Sequence, residues 1–354
     1  MGWYYLIYGI VLCGVTLSLV DNERTRQNFH RLYFPAAAVV LTLFAGLRGA
    51  NVDRDYQTYL DWFHWIAAGD LVPTDWVKDP AFVLVCYIAV RLGLGYTVVT
   101  LFYAGAALAT QFYFSWMMAR PRWLTLFFYL VIATAFIGSE MTQTRAAVAI
   151  PLMSIAVLLA YRGEKRKALL LCLVAITFHL SAVIGLPALV LAWRQVEFRS
   201  RWWVVSLLPA ALVAKAGVQT LLGPLTQIAR VSVYLNGGYS TETVRLLSVY
   251  FLVRLLAVAF VTAFYWKKLA AEYRLAVFCS SLGLFIQVAL SFNDALALRG
   301  AAIFFLFDVC ALMVPLDYLK GHFRVLYMAL LLVVGFVFFH STLKIIDPYQ
   351  WIFG

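Results

Sequence analysis

The chain has 354 residues, of which 64% are hydrophobic and only 13% charged, with a mean hydropathy of +0.85; soluble domains carry about 25% charged residues. These values exclude a soluble enzyme and leave room for about ten membrane spans of roughly 20 residues, with little chain left for a separate domain. The net charge of +11 does not point to nucleic acid, because the basic residues are scattered over short loops.

The first apolar run, Trp3 to Val20, has neither a basic leading region nor a small-x-small cleavage site, so it reads as a retained helix. Further runs predict spans near 33–47, 95–118, 123–138, 145–161, 167–179, 180–193, 202–221, 246–266, 275–291, 299–316 and 325–341. Trp116, Trp193, Trp202 and Tyr318 mark several of their ends, as an interfacial aromatic belt does. The loops 21–32, 119–122, 162–167, 194–201, 267–274 and 317–324 hold 17 of the 28 Lys and Arg residues. They recur at every second loop, which is the positive-inside pattern and places both termini on the outer side. The expected fold is an all-α polytopic membrane protein, one integral-membrane domain over 1–354 with about 10–12 transmembrane helices. The five cysteines sit inside apolar runs without CxxC spacing and read as packing residues, not as disulfides or zinc ligands.

Two segments depart from simple spanning helices. Residues 81–91 follow Asp79-Pro80, an N-cap and first-turn pair, and are too few to cross; they predict a re-entrant or interfacial helix. The stretch from Lys167 to Arg194 has basic loops at both ends, so two short helices meeting near His179 keep both loops inside. His179 then lies at the floor of an outward-facing depression, because broken backbone at such depth needs protein or water beside it.

The outer loop 48–79 is rich in aspartate. Within it Tyr56, Tyr59, Leu60, Phe63, Ile66 and Ala67 repeat at helical spacing, predicting an amphipathic interfacial helix flanked by Trp62 and Trp65. Asp53-Arg54-Asp55 matches the D-x-D pattern of metal-dependent sugar transferases, although a central arginine opposes a cation. Asp55 reads equally as a helix N-cap and as a base for a sugar hydroxyl. A second outer loop, 222–245, carries an Asn-Gly turn bracketed by Tyr234 and Tyr239, and aromatic faces suit sugar rings.

Arg48, Arg145, Arg254 and Arg299 lie within or at the outer edge of predicted spans, all toward the level of His179. An arginine at bilayer depth costs at least about 2.5–3.5 kcal/mol, so each is expected to face protein or water. Snorkelling at helix ends accounts equally for Arg145 and Arg299, and Glu140 and Asp294, five residues before them, offer local pairing. Convergence of these cations would instead make a site for a lipid-linked diphosphate.

Four motifs carry a resemblance. Gly46-Leu47-Arg48-Gly49 with Asp55-Tyr56-x-x-Tyr59, then Gln143-x-Arg145-x-Ala147, Phe178-His179-x-Ser181-Ala182, and Arg299 followed by Phe304, Phe305 and Phe307 occur in that order. Together they resemble the EpsG family of polysaccharide polymerases; the aromatic that follows the family's late arginine is here Gly300. The resemblance implies a Wzy-like polymerase in the bacterial inner membrane, similar to integral-membrane GT-C transferases, with its site facing the periplasm. It would transfer a glycan from an undecaprenyl-diphosphate carrier onto a lipid-linked repeat unit. Such an enzyme is expected to need no cofactor or metal, and to work in membrane lipid, with a chain-length regulator as a further expected partner. Arg145, Arg254 and Arg299 would then stabilise the leaving diphosphate, with Arg48 near the entrance. Asp55 or His179 would handle the hydroxyl proton, and Tyr56, Tyr59 and Tyr239 would contact substrate. A lipid-oligosaccharide flippase, or a transferase using a polyprenyl-monophosphate sugar, remains an alternative; no internal repeat of the kind many transporters show is visible.

Overall fold

The computed structural model describes residues 1–19, 22–53, 55–69, 79–222, 244, 246 and 248–352. The described residues are overwhelmingly helical and contain no β-strand, only an isolated bridge between Arg48 and Trp351. The helices of eight or more residues are α1 (Gly2–Ser18), α2 (Glu23–Gly46), α3 (Tyr56–Ala68), α4 (Pro80–Arg91), α5 (Tyr96–Met118), α6 (Leu124–Ala135), α7 (Thr144–Tyr161) and α8 (Lys165–Phe178). After a 3₁₀ segment, Leu180–Gly185, follow α9 (Leu186–Trp193), α10 (Leu207–Leu222), α11 (Val249–Phe264), α12 (Ala271–Ala289), α13 (Asp294–Ala302), α14 (Phe305–Met313) and α15 (Gly321–Thr342).

Among the described residues, four helices are long and apolar enough to cross a membrane: α2, α5, α7 and Gly321–Ile345. A fifth span forms if the pair Asp294–Ala302 and Phe305–Tyr318, bent by 60°, counts as one. The chain is therefore a multi-pass membrane protein, and its remaining apolar segments make shorter helices such as α4 and Leu180–Trp193. At 1.5 Å per residue the 12 residues of α4 reach only about 18 Å, against a hydrocarbon core of about 30 Å. α2 starts some ten residues earlier than its apolar run, because the Asn22 side chain accepts from the Arg24 and Thr25 amides and caps a basic first turn.

The chain divides into two units. The first contains residues 1–152, 170–182 and 325–354; the second contains 153–169 and 183–324. In the first, α2 and α5 run antiparallel: Thr100 Oγ1 donates to the Gly46 carbonyl at 2.6 Å at one end, while the Phe34 and Phe112 rings meet at a tilt, centroids 4.5 Å apart, toward the other. Gly46 permits this approach, since a Cβ there would lie 2.8 Å from the Leu101 Cα. The C-terminal strap returns to the same end. The Gly49 amide donates to Gln350 O at 2.8 Å, the Asp347 amide to Val52 O at 3.1 Å, and Tyr349 Oη to Phe44 O at 2.7 Å.

In the second unit α12 is the centre, packed by α10, α11, α13 and α14. It is buried almost all round, from Leu275 through Ala289, as expected for a helix that is apolar on every face. The loop that carries Tyr234 and Tyr239 lies outside the described residues, as do Arg54 and residues 70–78.

Candidate active site

One carboxylate organises the polar cluster of the first unit. Asp79 occupies the N-cap position of α4, yet its side chain makes no cap bond. Its Oδ2 instead pairs with Arg145 Nη1 from the start of α7. Its Oδ1 lies 3.2 Å from His179 Nδ1 and accepts from the Leu180 amide at 3.3 Å. Three segments far apart in sequence are thereby tied to one residue.

Local sequence explains each arm. Pro80 at the first helical position starts α4 without needing a backbone donor and leaves the carboxylate of Asp79 unused by the helix. The helix α8 ends at Phe178 and the chain continues as a 3₁₀ segment. The break at His179 expected from the charge pattern is present, and it frees the Leu180 amide to bind Asp79. The amphipathic stripe of α3 is also present, with Tyr56, Tyr59, Phe63 and Ile66 buried and α3 lying against α4.

That stripe supplies the wall of the cluster. The Arg145 guanidinium lies 4.8 Å from the Tyr59 ring centroid, 4.9 Å from Trp62 and 5.8 Å from Phe82. The ring series continues from Phe82 through Tyr103 to Phe178, at 5.8 and 5.7 Å. Burial pushes the Tyr59 phenol up, against the opposing pull of Arg145. The side chains of Asp79, Arg145 and His179 are 7, 15 and 28% exposed, so the cluster opens toward solvent on the histidine side.

A carboxylate against Nδ1 fixes the imidazole tautomer: Nδ1 carries the hydrogen and donates, leaving the Nε2 lone pair as a proton acceptor. Arginine has five donors in a rigid fork, and only Nη1 of Arg145 is paired with Asp79. The arrangement offers a base and a cation side by side, flanked by the aromatic rings of Tyr59 and Trp62.

Arg48 requires a correction. Expected near an entrance, it is fully buried: Nε bonds Asp53 Oδ2 at 2.7 Å, both side chains 0% exposed, and Nη1 donates to Ala45 O at 2.6 Å. Its guanidinium lies 5.6 Å from the Tyr56 ring, so Arg48 and Tyr56 belong to the core. The other Asp53 oxygen accepts from the Asp55 and Tyr56 amides at 2.9 Å each. Asp53 therefore starts α3, and Asp55, at the N-cap position, makes no cap bond with its side chain. Asp53 wins because its second oxygen is already held by Arg48.

In the second unit Arg254 is 2% exposed and pairs through Nε with Asp308 Oδ2 at 2.7 Å. Its Nη1 donates to Gln287 Oε1 at 2.6 Å, and Ser280 Oγ donates to the other Asp308 oxygen at 2.6 Å. Gly283 makes room for it, since a Cβ there would lie 2.7 Å from Arg254 Nη2. Arg254, expected at the diphosphate, is instead buried against Asp308 and Gln287. Arg299 is half-buried in α13, ahead of the bend. Tyr239 lies outside the described residues.

Asp79 was not among the site residues expected from the sequence, although it stands near where the resembled family often has a glutamate. The signal was an acidic residue beside a helix too short to span. The local pairing expected between Glu140 and Arg145 is absent: Glu140 accepts from Gln111 Nε2 of α5, and Arg145 goes to Asp79.

The model of one protein family, described as the EpsG family, matches residues 31–352. No curated protein and no solved structure matches the chain.

Proposed function

We propose that this chain, which belongs to the EpsG family and so to a group linked with exopolysaccharide polymerisation, is a glycosyltransferase that lengthens a lipid-linked glycan. In this reading the donor is an undecaprenyl-diphosphate-linked glycan, the acceptor a lipid-linked repeat unit, and the site faces the periplasm across the inner membrane. The observation that carries the reading is the Asp79 clamp, which sets His179 and Arg145 on the two oxygens of one carboxylate.

The chemistry follows from those positions. A sugar hydroxyl of the acceptor attacks the anomeric carbon of the donor, and its proton passes to His179 Nε2. The new glycosidic C–O bond forms as the bond from the anomeric carbon to the diphosphate oxygen breaks. The electron pair leaves on the diphosphate, whose charge Arg145 stabilises; one such donor is worth about 10²–10³ in rate. Asp79 holds the imidazole in the useful tautomer and stabilises the imidazolium once it forms. Tyr59 and Trp62 orient Arg145 and offer ring faces to sugars. Asp55 is the carboxylate nearest the start of α3. Arg48 and Arg254 act as structural ion pairs.

The distinguishing experiment is chain-length analysis of surface glycan in a strain lacking this protein. Single capped repeat units are expected, as for loss of a polymerase. Absence of any exported unit would identify a flippase instead and overturn the proposal.

A further inference from the structure

The first unit holds a cavity of about 810 Å³ at the far end of the α2–α5 pair. The volume lies within the roughly 300–1,000 Å³ usual for small-molecule sites. Tyr103 of α5 belongs to the ring series beside Asp79, whereas Phe112 and Trp116 of the same helix line this cavity. Thirteen residues separate Tyr103 from Trp116, about 20 Å along the helix. The cavity is therefore a separate site.

Its walls are apolar and aromatic, from Phe34, Leu108 and Phe112, while Gln27, His30 and Arg31 line the end formed by the start of α2. His30 is only 7% exposed, and its Nε2 has no hydrogen-bond partner among the described residues. Charge is strongly one-signed here. Arg24 and Arg26 stand about two and one and a half turns before Arg31 on α2, and Arg120 and Arg122 flank the lining residue Pro121. Of the described acids nearby, Glu23 is engaged by Gln27 at 3.4 Å. The same loops, 21–32 and 119–122, belong to the basic face that the positive-inside pattern assigns to the cytoplasm.

We propose that this cavity binds an acidic phospholipid of the cytoplasmic leaflet. Its acyl chain lies along Phe34, Leu108 and Phe112, and its phosphate meets Arg31, with Gln27 and His30 as further polar partners. Trp116, 61% exposed, sits at the rim where an amphipathic ring marks the headgroup level. A free phosphate would gain nothing from the apolar walls, and a zwitterionic lipid would gain less from the cations because its ammonium offsets its phosphate. Basic pockets on the cytoplasmic side of helix bundles bind acidic headgroups for this reason.

The test is native mass spectrometry of the full chain titrated with phosphatidylglycerol or phosphatidylcholine. Wild-type protein is expected to retain phosphatidylglycerol at least about fivefold more, the factor that one surface cation contributes. Arg31→Glu, a change at an exposed position, should erase the preference without lowering the thermal midpoint. Phe112→Trp, which narrows the apolar part of the cavity, should reduce retention of phosphatidylglycerol even if Arg31→Glu disturbs folding. Equal retention of the two lipids by wild type, or an intact preference in Arg31→Glu, would overturn the proposal. So would displacement of the lipid by millimolar inorganic phosphate, or stronger retention of undecaprenyl phosphate than of phosphatidylglycerol. None of these outcomes depends on glycan transfer, so failure here leaves the proposed catalytic function standing.

Discussion

Replacing Asp79 by asparagine separates the two limbs of the clamp. In the native cluster Oδ1 accepts from the Leu180 amide and faces His179 Nδ1, while Oδ2 faces Arg145. An amide nitrogen placed at Oδ1 would oppose the Leu180 N–H, so the asparagine oxygen stays there and its NH₂ turns toward Arg145. His179 keeps an acceptor. Arg145 meets a donor in place of its counter-ion and must move. Removal of one partner from a fully buried ion pair costs about 3–5 kcal/mol; Arg145 is 15% exposed and lies over three rings, so the loss should fall below that range. The kinetic effect should be larger in proportion, because a displaced arginine no longer meets the leaving diphosphate: about 10²–10³ in transfer rate. A long polymer needs many consecutive transfers, so such a loss collapses the ladder to one or two repeats. The assay is gel separation of the glycan from cells carrying equal amounts of membrane-inserted variant. Asp79→Asn combined with Arg145→Ala should be worse than Arg145→Ala alone only by the charge lost beside the His179 imidazolium, and clearly better than the product of the two single losses, since both changes share the effect on Arg145. Wild-type ladders from Asp79→Asn, or losses that multiply in the double variant, would refute this reasoning.

Other predictions concern stability and the remaining cluster. Arg48→Ala should lower stability by about 3–5 kcal/mol by stranding a buried Asp53, whereas Arg48→Met with Asp53→Leu should recover much of it; thermal unfolding in detergent measures both, and glycan per folded molecule should stay near wild type. Arg254→Ala should strand Asp308 in the same way and show as lost folded protein in the same measurement. Glu140, in the turn before α7, is held at about 8 by burial, up from 4.5. The folded chain thus keeps a proton that the unfolded chain releases, so stability is full below about 4.5 and declines as pH rises through 8. Glu140→Gln should flatten that decline in melts taken between pH 6 and 9.

What was legible in the sequence was what local pattern encodes. The stripe of Tyr56, Tyr59, Phe63 and Ile66 needs only helical periodicity, and the break at His179 follows from basic loops at both ends of one apolar stretch. The short α4 follows from Asp79-Pro80 and Arg91 bounding too few residues. Partner choice was not legible, because it depends on chain segments brought together only by folding. Arg145 passes over Glu140 for Asp79, 66 residues away, and Arg254 finds Asp308 on another helix. The choice between Asp53 and Asp55 is subtler. Both stand where a cap is wanted, and the decision falls to whichever carboxylate the buried Arg48 already holds.

The most direct measurement uses purified protein in liposomes supplied with a single-repeat glycan on undecaprenyl diphosphate. The account predicts a ladder of longer glycans, with one undecaprenyl diphosphate released per bond formed, and no ladder from Arg145→Ala or His179→Ala. An undiminished ladder from either variant, or wild-type protein that moves the substrate across the bilayer and joins nothing, would contradict it.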